Sequence, residues 1–143
     1  MKYFIVLLAL ISFLNAASFQ RDDSRNIVVD NTNNLMWMDN KESVSLYLTH
    51  EEAEKFCEES SYIGFTNWRL ASLDEFEYIV DKNNYPTNIN KKFKYIINTG
   101  YWANKAHWRT LWFYADYMHF VSGTPYYDSR HKKKLVRCVR DTK

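Results

Sequence analysis

Glycine and proline are scarce in this chain of 143 residues, at three and two, and cysteine occurs only at 57 and 138. There is no Gly-rich phosphate-cradling loop, no Gly-x-Ser-x-Gly and no His-Glu-x-x-His. The common signatures of nucleotide binding, of a nucleophilic serine and of a zinc hydrolase are therefore missing. Neither cysteine has a partner at Cys-x-x-Cys spacing or a histidine at ligand spacing, so the two do not read as a metal or redox pair. Beyond the N-terminus no apolar run is long enough to span a bilayer. Nothing reads as an internal repeat or a long disordered tail.

At the N-terminus, Met1-Lys2 is followed by an apolar run from Tyr3 to Leu14 and then by Asn15-Ala16-Ala17-Ser18. One positive charge, a short apolar core and small residues form the three-part pattern of a secretory signal peptide, expected over residues 1–16. As a helix, about 12 residues rise roughly 18 Å, short of the ~30 Å hydrocarbon core, which disfavours a membrane anchor. With no cysteine near a cut after Ala16 or Ala17, a lipid-modified N-terminus is also disfavoured. The remaining residues, 17–143, are expected to form one domain that buries a core without help and works in the periplasm or as a secreted protein. Trp37, Phe56, Trp68, Leu70, Phe76, Ile79, Trp102, Trp112 and Val139 are spread along it as candidate core residues.

In an exported chain, an even count with no spare thiol predicts one structural bridge, Cys57–Cys138. Closing a loop of about 80 residues stabilises the fold by roughly 4 to 5 kcal/mol in the chain-entropy description. Net charge is only +2, but Ala17 to Asp81 carries five Lys/Arg against fourteen Asp/Glu, and Lys82 to Lys143 thirteen against three. Such asymmetry marks either an interaction face or two halves that neutralise each other on packing. The second reading is favoured, since halves of one domain rarely map onto separate surfaces.

Ile27-Val28-Val29 and Leu35-Met36-Trp37, separated by the turn-rich Asp30 to Asn34, read as a hairpin. Thr49-His50-Glu51-Glu52 is a capping box opening a helix in which Ala53, Phe56 and Cys57 share the buried face. Ser72-Leu73-Asp74-Glu75 is a second capping box, continued by Phe76, Ile79 and Val80. Thr66 to Leu70 between the helices reads as extended, and the Asn/Lys-rich stretch from Lys82 to Gly100 as a long surface excursion. Gly100 to Ala103 starts a strand. Thr110–Tyr114 and Tyr117–Val121 are expected to pair around Ala115-Asp116, with a turn over Ser122–Pro125. Leu135 to Arg140 reads as one final strand with Val136 and Cys138 on one face and Arg137 and Val139 on the other. The order predicts an α+β domain, two helices packed on short antiparallel sheets, with the bridge running from the first helix to the last strand.

Several marks occur together in order: Leu35-Met36-Trp37, Glu52-Ala53 with Phe56-Cys57, Gly64-Phe65-Thr66-Asn67-Trp68-Arg69-Leu70, Leu73 with Glu75, Tyr101-Trp102, and Val136-Arg137-Cys138-Val139-Arg140. In this the chain resembles the Lcl C-terminal domain family of exported bacterial domains. The family is similar in fold to C-type lectin-like domains and to the formylglycine-generating, sulfatase-modifying proteins. The resemblance implies a C-type lectin-like fold with Trp37, Trp68, Trp102 and Val139 in the core. Family members usually carry Asp-Trp-Arg-Leu-Pro, where this chain has Asn67 and Ala71 in place of the Asp and the Pro. The serines that normally follow Tyr-Trp are Ala103-Asn104 here. Trp68 and Arg69 read either as a ligand site or as a buried Trp beside an Arg paired to a carboxylate; the extended, apolar surroundings favour the second.

No catalytic constellation emerges. His50, after a helix cap, and His131, within a basic run, are expected to be solvated. Asp116 and His119 are the best acid–base or metal pair, but three apart on a strand they face opposite ways. Formylglycine-type oxidation needs a further reactive thiol, and both cysteines are committed to the bridge. The Glu-Pro-Asn, Gln-Pro-Asp and Trp-Asn-Asp triplets of calcium-dependent sugar sites are absent. No cofactor and no metal are expected. The most suggestive feature is Arg130-His131-Lys132-Lys133-Lys134 after Tyr126-Tyr127. A dense basic run grips sulfated or carboxylated polysaccharide, or simply keeps a turn in water. Some Lcl-like domains act as adhesins for sulfated glycosaminoglycans, which leans toward the first. The expectation is a non-enzymatic binding module with Tyr126, Tyr127, Arg130, Lys132, Lys133 and Lys134 as its ligand surface and an anionic polysaccharide as partner. Nucleic acid is excluded as a partner by export. The alternatives are an envelope assembly subunit docking another envelope protein, and an enzyme distantly like the formylglycine-generating group.

Overall fold

A computed structural model describes residues 18–143, so the expected signal segment lies outside the described residues. The chain runs β1 (Phe19–Asp22), β2 (Ile27–Asp30), β3 (Leu35–Met38), a single turn α1 (Glu42–Ser45), β4 (Tyr47–Leu48), α2 (His50–Glu58), β5 (Arg69–Leu70) and α3 (Leu73–Ile79). It continues through β6 (Gly100–Ala106), β7 (Tyr114–His119), β8 (Thr124–Ser129), β9 (Lys134–Leu135) and β10 (Cys138–Asp141). Two five-stranded sheets result, ordered β1-β2-β3-β10-β5 and β4-β9-β6-β7-β8. The α+β class is as expected, although β6 and β9 pair in parallel where only antiparallel pairing was foreseen. Among the described residues no helix is long and apolar enough to cross a membrane.

Both capping boxes form. Thr49 and Ser72 each accept from the third helical amide, and Glu52 and Glu75 return a carboxylate to the cap amide, satisfying donors that would otherwise be orphaned. The central strands are apolar on both sides because each sheet lies between two cores. Val28, Trp37, Phe76, Ile79, Tyr101, Met118 and Val139 pack under α3. Ile27, Met38, Ala53, Cys57, Trp68, Trp102 and Cys138 pack against α2. Neighbours on one strand, such as Tyr101 and Trp102, thus serve different cores, as period-two geometry requires. The Cys57–Cys138 bridge, Cα to Cα 5.5 Å, joins α2 to the last strand.

The structure corrects several expectations. Tyr114–His119 is one strand, not the turn of a hairpin, and it pairs along its length with Thr124–Ser129. The reversal falls at residues 120–123, where Gly123 at φ +66° donates to the His119 carbonyl at 2.8 Å. Leu135 to Arg140 is also not one strand. Lys134–Leu135 belongs to the second sheet and Cys138–Asp141 to the first, and the chain crosses between them at Val136-Arg137, both buried. Arg137 is drawn inward by Asp39 at 2.7 Å and the Met38 carbonyl at 2.9 Å, and lies between the rings of Phe93 and Tyr101. The stretch 82–100 is not a mere surface excursion: Ile89 and Phe93 are core residues, and Asn88 donates to the carbonyls of Phe120 and Val121. β1 was not foreseen. Trp112, a candidate core residue, is exposed. Part of the charge asymmetry is absorbed by pairs across the halves: Arg137–Asp39, Lys94–Asp23 and Arg130–Glu54.

Candidate ligand-binding face

β8 is extended, so Tyr126 and Tyr127 fall on opposite faces of the second sheet. Tyr126 lies opposite Tyr117 on β7 and stacks on it with centroids 5.9 Å apart at 25°. The Lys134 ammonium sits 3.9 Å from the centre of the Tyr117 ring and 5.2 Å from that of Trp102, an arrangement in which the ring quadrupole holds the cation. Asp128 lies on the same face, two residues beyond Tyr126. Its carboxylate accepts from Lys134 at 2.9 Å, from Lys132 at 3.0 Å and from the Ser129 amide at 2.8 Å. Partial burial alone would raise its pKa, but these donors hold it down at about 2. Lys132 and Lys133 are exposed, whereas Lys134 is mostly covered. Three lysines against one carboxylate leave this turn positive.

Arg130 takes a different part. Its guanidinium donates to His50 Nδ1 at 3.2 Å, to Glu54 at 3.4 Å and to the Trp112 carbonyl at 3.4 Å. His50 is fully buried, against the expectation of a solvated side chain. β6 explains this: the Ala103 carbonyl lies 2.8 Å from Nε2, and the Trp102 and imidazole rings meet edge to face with centroids 5.3 Å apart. A carbonyl only accepts and a guanidinium only donates, so the ring is neutral with its proton on Nε2. Burial is the main cause of its lowered pKa. His131 is exposed, as expected.

Tyr127, on the opposite face, packs against Tyr114 and His107, each with centroids at 5.9 Å. His107 Nε2 is hydrogen-bonded to Asp116, and a cavity of about 380 Å³ opens among His107, Arg109, Thr110, Tyr114 and Tyr127. Sequence reasoning missed the His107–Asp116 pair, because the two are nine residues apart and meet only through the β6–β7 hairpin. It also missed Asp128 as the anchor of the lysines. The i, i+4 and i, i+6 spacing from Asp128 to Lys132 and Lys134 was the available signal. Asp116 and His119 face opposite ways, as expected. Trp68 is buried with Nε1 donating to the Phe65 carbonyl at 3.0 Å. Arg69 forms a fork on Glu75, both contacts 2.7 Å, so this motif is core and ion pair. Among the described residues no group of three or more His, Cys, Asp or Glu is arranged to hold a metal ion, and both cysteines are in the bridge.

Neither a curated protein nor a solved structure matches the chain. The profile of the Lcl C-terminal domain matches residues 26–140, from the residue before β2 into β10, and so takes in both capping boxes, the bridge and the tyrosine–lysine face. The chain belongs to the Lcl C-terminal domain family.

Proposed function

We propose that this domain is an exported, non-catalytic binding module, periplasmic or secreted, with the C-type lectin-like arrangement that the family resemblance implies. It recognises a polyanionic glycan or another anionic cell-surface component. The observation that carries the reading is the stacked Tyr117–Tyr126 pair beside the Lys132–Lys134 turn. A flat aromatic surface offers an apolar platform for a sugar ring, and adjacent ammonium groups meet sulfate or carboxylate by multiple charge contacts. Tyr126, Lys132 and Lys133 make the contact in this reading. Lys134 and Asp128 fix the geometry, Arg130 braces the turn against α2, and Tyr127 serves the other face. The reading is further supported by the bonded state of both cysteines, which leaves no thiol for cysteine-oxidising chemistry.

The test is elution from immobilised heparin in a salt gradient. Lys134 is unsuited to mutation here, because Lys134→Glu would set a second carboxylate beside Asp128. Lys132→Gln with Lys133→Gln removes two exposed charges and sets no carboxylate beside Asp128. The wild-type protein is expected to be retained beyond a control of equal net charge, and the double variant to elute at low salt. Equal elution of both proteins sinks the proposal.

A further inference from the structure

The β6–β7 connection is the least ordinary part of the surface. From Trp108 to Phe113 it exposes four large apolar side chains in six residues: Trp108 at 65%, Leu111 at 89%, Trp112 at 57% and Phe113 at 48%. Single exposed apolar residues are unremarkable, but a contiguous set marks an interaction surface. The exposure is built rather than incidental. The loop closes on itself with His107 donating to the Tyr114 carbonyl at 2.8 Å, Trp112 to the His107 carbonyl at 3.1 Å and Phe113 to the Thr110 carbonyl at 3.0 Å. Thr110 Oγ1 adds a bond to the His107 carbonyl at 2.8 Å. Leu111 and Trp112 both hold left-handed backbone, φ 51° and 64°, a conformation that bulky L-residues rarely adopt.

We propose that this loop is a wedge that enters the headgroup and upper acyl region of a lipid surface carrying anionic headgroups. Two properties favour that occupant. Five of the seven backbone amides from His107 to Phe113 bond to carbonyls of the loop or of its closing residue Tyr114, which lowers the cost of entering an apolar medium, since nothing there replaces water. The charge along the loop itself is of one sign: no Asp or Glu occurs from Ala103 to Ala115. Lys105 and Arg109 are exposed and make no ion pair among the described residues. Arg109 lies 5.6 Å over the Trp108 ring. The basic turn abuts the loop, with the Arg130 amide donating to the Phe113 carbonyl at 2.9 Å and the Phe113 and His131 rings 5.5 Å apart. Of the nearby carboxylates, Glu54 is engaged by Arg130, Asp128 by the lysines and Glu52 by the Thr49 cap. Asp116 is held by His107, which leaves Glu51, beside Trp112, and Asp74, beside Lys105, to oppose an anionic surface. Tryptophan, phenylalanine and leucine flanked by lysine and arginine is the composition that settles at a membrane interface.

The experiment is co-sedimentation of the disulfide-bonded protein with vesicles of phosphatidylcholine, with and without phosphatidylglycerol, including a set with brominated acyl chains. Co-sedimentation with the phosphatidylglycerol vesicles is expected, with quenching of tryptophan emission by the brominated chains. Trp37, Trp68 and Trp102 are buried, so quenching reports Trp108 and Trp112. Leu111→Ser with Trp112→Ser should lower partitioning by more than about tenfold, with far-ultraviolet circular dichroism and heparin elution unchanged. The last readout separates this proposal from the glycan reading. No co-sedimentation of the wild-type protein with either vesicle, binding without quenching, or undiminished binding of the serine variant overturns it.

Discussion

At the scale of the residue, His50 shows how one buried side chain ties the basic turn to the core. Its ring donates to the Ala103 carbonyl on β6 and accepts from Arg130, while its amide donates to the Arg130 carbonyl at 3.0 Å. Protonation would place a second cation against the guanidinium and take away the acceptor Arg130 uses. Burial holds the folded-state pKa below the ordinary 6.5. Between those two values the unfolded chain binds a proton that the folded chain refuses. The stabilisation is therefore complete above the unfolded pKa and is lost as pH falls below it, with a slope approaching about 1.4 kcal/mol per pH unit for one proton. Urea unfolding from pH 7.5 to pH 5 should show wild-type stability falling more steeply than that of His50→Gln, which cannot titrate. Parallel curves would remove His50 from this role. The buried charge of Arg137 follows the same logic: Asp39 makes the burial tolerable.

At the scale of the element, Glu75 serves two purposes with one carboxylate. It completes the α3 capping box by accepting from the Ser72 amide at 2.9 Å, and it takes both arms of Arg69. Burial would raise its pKa, but the Arg69 bonds foremost, with the cap amide, bring it below the ordinary value. Glu75→Ala should cost about 2 kcal/mol, combining a lost cap with a partly buried guanidinium left one partner short. Glu52→Ala, at the equivalent but exposed cap of α2, should cost less, about 1 kcal/mol or below. Equal losses in denaturant unfolding would contradict the dual role. Both helices were legible in the sequence because a capping box is a local signal, Thr or Ser followed three residues later by Glu. Strand pairing was legible only where the partner was adjacent, as in the β2–β3 hairpin. The β7 error arose because Ala115-Asp116 resembles a turn locally, whereas its extended state is imposed by pairing with β6 and β8 on either side. The break at Val136-Arg137 is set by an aspartate about a hundred residues earlier, which no local pattern encodes. His50 and Trp112 exchanged their expected places for the same reason: tertiary neighbours decide burial.

At the scale of the whole molecule, the two sheets share two cores, and the covalent link crosses from α2 to β10 between residues 81 positions apart in sequence. Cys57→Ser with Cys138→Ser should therefore lower unfolding stability by about 4 kcal/mol, the size expected for constraining a loop of that length. A loss under about 1 kcal/mol in urea unfolding would mean that the unfolded chain is already compact across this loop. The same architecture leaves one end of the second sheet to the β6–β7 loop, the basic turn and the open β8 edge, where exposed aromatics such as Trp108, Trp112 and Tyr126 lie with the exposed Arg109, Lys132 and Lys133. The candidate surface was partly legible. Tyr126 and the lysines stood out as a run, but their division between two faces and their anchoring on Asp128 required the sheet. The most direct test of the binding reading is an amide nuclear magnetic resonance titration of the folded protein with a sulfated oligosaccharide. Saturable shifts concentrated at Tyr117, Tyr126 and Asp128 to Lys134, weakening as salt is added, are the predicted result. Shifts confined to the His107–Tyr127 face, or none at all, would contradict it.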